Sequence, residues 1–199
     1  VLHDLQDVTV SCAEGDMGFI YQGTAAIESQ TLDVTALPET STGVMLNMAN
    51  PAAAYRWWKV PADGVGLARM EFVIGNHIRV HPMALVRFDT LKDEAAKQQI
   101  ADLTKGYADK TEYFVERLSR GLSRIAAAMH PKPAIIRLSD FKTNEYANLL
   151  GGAEFEPVEE NPMIGFRGAS RYYSPRYKEG FGLECRAIRR LRDEMGFRN

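Results

Sequence analysis

The run EYFVERLSRGLSRIAAAMHPKPAIIRL, residues 112–138, decides the fold class. Tyr113, Val115, Leu118, Leu122, Ile125 and Met129 recur at helical spacing, which predicts a helix over 112–129 with one apolar face. Pro131 and Pro133 stop it, and Ala134-Ile135-Ile136-Arg137-Leu138 then reads as a short buried strand. A helix delivered straight into a buried strand is part of a crossover unit, in which parallel strands are joined with right-handed sense.

The same alternation extends outward. Gly43-Val44-Met45-Leu46-Asn47-Met48 reads as a buried strand, and Pro51 opens a helix over 52–58. Gly64-Val65-Gly66-Leu67-Ala68-Arg69 is a second strand, weakened by its glycines. Residues 82–100 form one or two helices. Met163-Ile164-Gly165-Phe166 is a further short strand, before a helix over 175–194 capped by Gly196. Upstream the pattern differs: Val8-Thr9-Val10-Ser11-Cys12 and Gly18-Phe19-Ile20-Tyr21 flank the turn Ala13-Glu14-Gly15-Asp16 as a hairpin. Residues 23–42 are rich in Thr, Ser, Ala and acidic side chains and read as a linker, with a boundary near residue 40. Both a doubly wound sheet and a (β/α) barrel fit this order.

The chain has 199 residues, enough for one good-sized domain. Its net charge of −2 argues against a general polyanion binder. No apolar run approaches the roughly 18 residues of a membrane span. The start, VLHDLQDVTV, lacks the basic-then-apolar pattern of a signal peptide. Cys12 and Cys185 stand far apart and frame no disulfide fold. These features predict a cytoplasmic globular protein with neither nucleic-acid nor membrane partners.

The arginines carry the functional signal. Arg69, Arg137 and Arg167 each follow an apolar run of three or more residues, where a strand would leave its sheet. Barrel enzymes place their chemistry at that end. Converging guanidiniums there would clamp phosphate or carboxylate. An ordinary surface or salt-bridged role for each arginine is the competing reading, and the shared position of the three argues against it.

Other signals are discarded. Residues 64–69 half-match a dinucleotide fingerprint, but Arg69 fills the third glycine position and would block close helix packing. There is no phosphate-cradling Gly-Lys-Ser/Thr loop and no Gly-x-Ser-x-Gly elbow. His77 and His81 have metal-ligand spacing, but Ile78 stands where a zinc protease needs its glutamate, so they read as solvated. Cys185 reads as packing within its helix. From Arg167 to Asn199 there are nine basic residues against four acidic, with interleaved tyrosines. That stretch reads as an amphipathic helix with Ala187, Ile188, Leu191 and Met195 inward and arginines in water, in preference to a polyanion-binding module.

Three longer segments are recognisable. GVGLARMEF at 64–72, RLSDFKTNEY at 137–146 and ENPMIGFRG at 160–168 resemble the phosphoenolpyruvate synthases (pyruvate, water dikinases) of the phosphoenolpyruvate (PEP)-utilising enzyme family. Pyruvate phosphate dikinase and enzyme I of the sugar phosphotransferase system are the sibling alternatives. They share the barrel and the arginines, whereas the run Ser139-Asp140-Phe141-Lys142-Thr143-Asn144-Glu145-Tyr146 is the synthase-like part.

The resemblance implies an enzyme in which an ATP-grasp domain phosphorylates a histidine on a swivelling domain, which carries the phosphoryl group to a pyruvate-binding barrel. Residues 1–24 would be the end of the swivelling domain, 25–40 a linker, and 41–199 the first half of the barrel. The implied fold is thus α/β, a partial (β/α)8 TIM-type barrel preceded by a short β segment. A full barrel takes about 250 residues, more than the chain provides after residue 40.

By the same resemblance Arg69 and Arg137 bind the phosphate and carboxylate of PEP, and Arg167 supports them. Asn47 and Asp140 are expected to orient the cluster. The phosphohistidine, the cysteine acid/base and the Mg2+ ligands are expected outside this chain, as is the ATP site. The implied partners are pyruvate or PEP and the remaining domains of the same enzyme, with a homodimer through the barrel left open.

Overall fold

A computed structural model describes residues 2–11, 17–28, 33–34, 37–38 and 40–199. The chain divides into two compact units, Val1–Pro38 and Glu39–Asn199. In the first, β1 (Val8–Ser11) and β2 (Phe19–Gln22) pair antiparallel, with Val10 opposite Ile20. The expected turn at 13–16 and Cys12 lie outside the described residues.

The second unit is mixed α/β, built on a parallel sheet. Strands β3 (Met45–Met48), β4 (Gly64–Arg69) and β5 (Ala134–Arg137) lie side by side in chain order, all parallel. Helix α1 (Pro51–Trp57) joins β3 to β4, with Pro51 in its first turn and the Asn50 side chain accepting from the Ala52 N–H. Both features satisfy or remove a donor that a helix start leaves unpaired. The glycines that weakened β4 on paper have a use: a Cβ on Gly64, at φ +149°, would lie 2.4 Å from the Pro133 carbonyl. That carbonyl instead accepts from the Val65 N–H at 2.8 Å and starts the β4–β5 ladder.

Helix α2 (Met70–Val73) follows β4 without a loop and runs into a wide helical turn, Ile74–Ile78. The stretch expected as one or two helices is two: α3 (Pro82–Val86) and α4 (Glu94–Leu103), separated by a tight turn at Phe88–Thr90. Then comes α5 (Lys110–Met129), capped by Asp109. All six positions of its predicted stripe are buried, from Tyr113 to Met129. Ile125 and Met129 pack with Met48, Ala54, Val65 and Ala68 against one face of the sheet. The remaining stripe joins α2, α3 and the C-terminal helix in the main core. Fully burying each such side chain stabilises the fold by about 1.5–3 kcal/mol.

Short helices α6 (Thr143–Ala147) and α7 (Ala169–Tyr172) precede α8 (Lys178–Arg189). Ala187 and Leu191 are buried as expected, and Ile188 and Met195 pack against the core.

The strand expected at Met163–Phe166 is absent. Those residues form turns, with Met163 61% and Ile164 85% exposed. Their backbone donors find local acceptors: Met163 N–H meets Asn161 Oδ1 at 3.1 Å, and Phe166 N–H meets Glu159 Oε1 at 2.9 Å. A segment satisfied this way gains no ladder from a neighbouring strand.

Candidate functional site

Arg69 and Arg137 are direct neighbours in the β4–β5 register, each the last residue of its strand. Parallel strands set their carboxyl ends on one rim, so adjacent register places both guanidiniums there by construction. The two side chains line one cleft of about 410 Å³ together with Glu71, Phe72, Asn76, Asp140, Lys142, Glu145, Met163 and Arg167. The three predicted arginines and Asp140 therefore share one basin. Arg167 reaches it from a turn before α7 rather than from a strand end. Asn47 does not line it: it pairs with Leu67, two residues before Arg69, and sits exposed farther down the sheet.

Each cation is held differently. The Arg69 guanidinium lies 4.7 Å from the centre of the Phe72 ring and has no carboxylate partner among the described residues. Arg137 is 43% exposed and donates through Nη2 to Glu71 Oε1. Arg167 makes a bidentate pair with Asp140 and adds a bond from Nη1 to the Met163 carbonyl at 3.3 Å. Hydrogen bonding to Arg167 holds the Asp140 carboxyl below the usual range, and Asp140 in turn raises Arg167. Lys142 Nζ stands 3.4 Å from Glu145.

Of the lining residues not expected from the sequence, Glu71 is the one that ties the cleft together. It sits in the first turn of α2, only 11% exposed, and Oε1 also accepts from the Asp140 N–H at 3.0 Å. One carboxylate thus ties a β5 arginine to the loop after β5. Its position two residues after Arg69, at a strand-to-helix junction, was the available signal.

Behind the cleft lies a second, buried polar layer. Glu184 from α8 accepts from the Ser139 N–H at 3.2 Å and contacts Ser139 Oγ at 2.5 Å. Deeper still, Arg171 makes a bidentate pair with Glu156, which also meets His81 Nε2 at 3.0 Å, all three buried.

This layer corrects three expectations. His77 is exposed, but His81 is fully buried as the N-cap of α3, its Nδ1 accepting from the Met83 N–H. The basic C-terminal stretch does not simply face water: Arg171 is buried, and Arg186 and Arg190 both pair with Glu112 of α5. Cys185 is exposed, because the buried stripe of α8 runs through its neighbour Glu184.

The cleft can bind an anion. Its Arg69 donors are uncommitted to any carboxylate, and Arg137, 43% exposed, is bonded through Nη2 alone, whereas the Arg167 donors are taken up by Asp140 and Met163, so Arg167 adds mainly charge. Two adjacent forks suit a phosphate or carboxylate bidentately. Its own carboxylates suit a metal poorly. Asp140 is engaged by arginine, Glu145 by lysine and Glu71 by arginine through Oε1 alone, its Oε2 being buried without a hydrogen-bond partner, and no group of three or more His, Cys, Asp or Glu converges among the described residues. Also among those residues, no helix is long and apolar enough to cross a membrane.

The chain belongs to the PEP-utilising enzymes: the family model for their PEP-binding domain matches residues 24–198. Within that class it is similar to phosphoenolpyruvate synthases. It is 55% identical over 195 residues to that of Synechocystis sp., covering 98% of this chain and 24% of the relative. It is 49% identical over 199 residues to that of Pseudomonas aeruginosa and 46% over 198 to that of Escherichia coli K12, in both cases covering all of this chain and 25% of the relative. The chain spans about a quarter of the length of these curated relatives.

Proposed function

We propose that this chain is the substrate-clamping part of a phosphoenolpyruvate synthase, and that Arg69, Arg137 and Arg167 hold the phosphate and carboxylate of PEP. The observation that carries the proposal is the register pairing of Arg69 with Arg137 at the ends of parallel strands, with Arg167 on the same cleft. Phosphoryl transfer to pyruvate needs positioned positive charge on the phosphate oxygens more than covalent help from the protein. In this reading Arg69 supplies the least committed donors. Glu71 and Asp140 keep the other two forks aimed, so their geometry is set before the ligand arrives.

The intact enzyme would convert pyruvate, ATP and water to PEP, AMP and phosphate through a phosphohistidine on another domain. ATP and Mg2+ would be held by residues outside this chain, since the cleft's own carboxylates are engaged by cations. Residues 41–199 read as the first half of a (β/α)8 barrel, 25–40 as a linker and 1–24 as the end of the swivelling domain. The family match beginning at residue 24 supports the first of these boundaries along the chain, and the division of the compact units after Pro38 supports the second. The barrel reading is supported by the three parallel strands in chain order and by the Ala134 N–H of β5, which donates to the Asn199 carbonyl at 2.9 Å much as Val65 does to Pro133. A cytoplasmic location, a homodimer through the barrel and contact with the enzyme's other domains belong to the same reading.

The test is Arg137→Lys in the intact protein. Lysine keeps the charge but loses the planar fork. Pyruvate-dependent turnover should fall roughly a hundredfold to a thousandfold, the cost of one preorganised donor. Histidine phosphorylation from ATP should persist. Loss of both would make Arg137 a support of the fold, and loss of neither would remove it from the site.

A further inference from the structure

Four buried oxygens behind the cleft form a closed ring. Glu184 Oε1 lies 2.5 Å from Ser139 Oγ, which lies 2.7 Å from Tyr146 Oη. Tyr146 Oη lies 2.6 Å from Tyr177 Oη, and Tyr177 Oη returns to Glu184 Oε1 at 3.2 Å. All four side chains are buried, so solvent supplies no hydrogen to the ring.

The hydrogens can be counted. Ser139, Tyr146 and Tyr177 each bring one O–H, whereas the ring has four O···O contacts. With Glu184 ionised, one contact must join two oxygens with no hydrogen between them; at least cost this is the longest, Tyr177 Oη to Glu184 Oε1 at 3.2 Å, where a phenol oxygen then faces a carboxylate unbonded. With Glu184 protonated, each oxygen donates to the next and every contact is a hydrogen bond. The count alone favours the neutral acid.

The ring also reaches the cleft. Ser139 is held at its N–H by Glu184 Oε2 and at its carbonyl by Tyr172 Oη at 2.6 Å. The next residue, Asp140, donates its N–H to Glu71 and accepts at its carboxylate from Arg167.

We propose that Glu184 is a positioning residue of the cleft: its proton completes the buried ring, the ring fixes the Ser139–Asp140 turn, and ionisation of Glu184 loosens the hold on Arg167. The coupling to ligand rests on the PEP-binding reading above, while the proton itself does not. Burial pushes Glu184 up to about 7, with the charge of Glu71 adding to the rise and the bonds from Ser139 and Tyr177 opposing it. The titratable and charged groups facing it are Glu71 on α2, Tyr146 on α6, Arg171 and Tyr172 on α7, Tyr177 before α8 and Cys185 beside it. The His81–Glu156 pair lies behind the two ring tyrosines. Burial raises both ring tyrosines well above their usual range, so within the ring it is Glu184 whose titration changes the hydrogen count.

The test uses the intact protein, wild type and Glu184→Gln. The amide nitrogen donates to both Ser139 Oγ and Tyr177 Oη, so every contact keeps a hydrogen at every pH, with one hydroxyl hydrogen in excess. Infrared spectra near pH 6.5, where exposed carboxyls are ionised, should show a protonated-carboxyl band that Glu184→Gln lacks. Raising the pH to about 8.5 should abolish it. Across the same range, PEP affinity of the wild type should weaken by roughly threefold or more beyond any change in Glu184→Gln.

Absence of the band, or identical affinity profiles in the two proteins, overturns the proposal. If Glu184→Gln fails to fold, the wild-type band and its titration decide alone. If neither protein binds PEP at any pH, the PEP-binding reading and the proposed coupling both fail, and the band still decides whether the ring holds its proton.

Discussion

Arg167 grips Asp140 with two parallel hydrogen bonds, Nε to Oδ1 at 2.9 Å and Nη2 to Oδ2 at 2.8 Å. The pair bridges the loop after β5 and the turn before α7, so it sets how wide the cleft stands. Asp140→Asn removes the charge and replaces one acceptor by a donor that faces the guanidinium. PEP affinity should then fall by about tenfold or more, the range for hydrogen bonds to charged groups. Isothermal titration of the intact protein checks it.

The same pair fixes an acid dependence. Because the folded protein holds the Asp140 carboxyl below its usual value, its contribution to stability is complete above the unfolded value near 3.8. It disappears as the pH falls through the lowered one. Urea midpoints of wild type and Asp140→Asn should therefore differ at neutral pH and converge in acid.

Glu71 joins Arg137 to the Asp140 backbone. Glu71→Ala leaves both donors without that acceptor, which should cost about 1–3 kcal/mol in urea unfolding. PEP affinity should fall with it, because Arg137 loses the partner that fixes its plane. Stability lost with affinity intact would make Glu71 purely structural.

Much of this site could be read from the chain. Arg69 and Arg137 were legible because a strand's end is visible as an apolar run meeting a charge, and parallel pairing puts such ends on one rim. Arg167 was found by the same cue for the wrong reason: Pro162, Gly165 and the side chains of Asn161 and Glu159 make a turn there. Glu156, Arg171 and Glu184 were illegible. Charged residues in a polar stretch read as solvated, and their burial comes from partners such as Ser139, 45 residues from Glu184. Local spacing carries no trace of that contact.

The Arg171–Glu156 pair is bidentate and both side chains are 1% exposed. Removing one charge strands the other in the core. Glu156→Gln should destabilise by about 3–5 kcal/mol, readable as a lowered urea midpoint, although the residue does not line the cleft.

His81 adds a slope on the acid side. Burial lowers its pKa, and the bond from the Met83 N–H to Nδ1 leaves the proton on Nε2, facing Glu156. The folded state thus takes up the second ring proton, at Nδ1, less readily than the unfolded chain does, so stability falls as the pH drops below about 6.5. His81→Asn keeps a capping acceptor and should flatten that slope.

The central claim is that the arginine cleft binds PEP. Its most direct test is calorimetric titration of PEP into the intact protein, wild type against Arg137→Lys, at one pH and salt concentration. The account predicts saturable binding to the wild type, weakened by at least about tenfold in the variant, which keeps the charge and loses the fork. Equal affinity in the two folded proteins would contradict it.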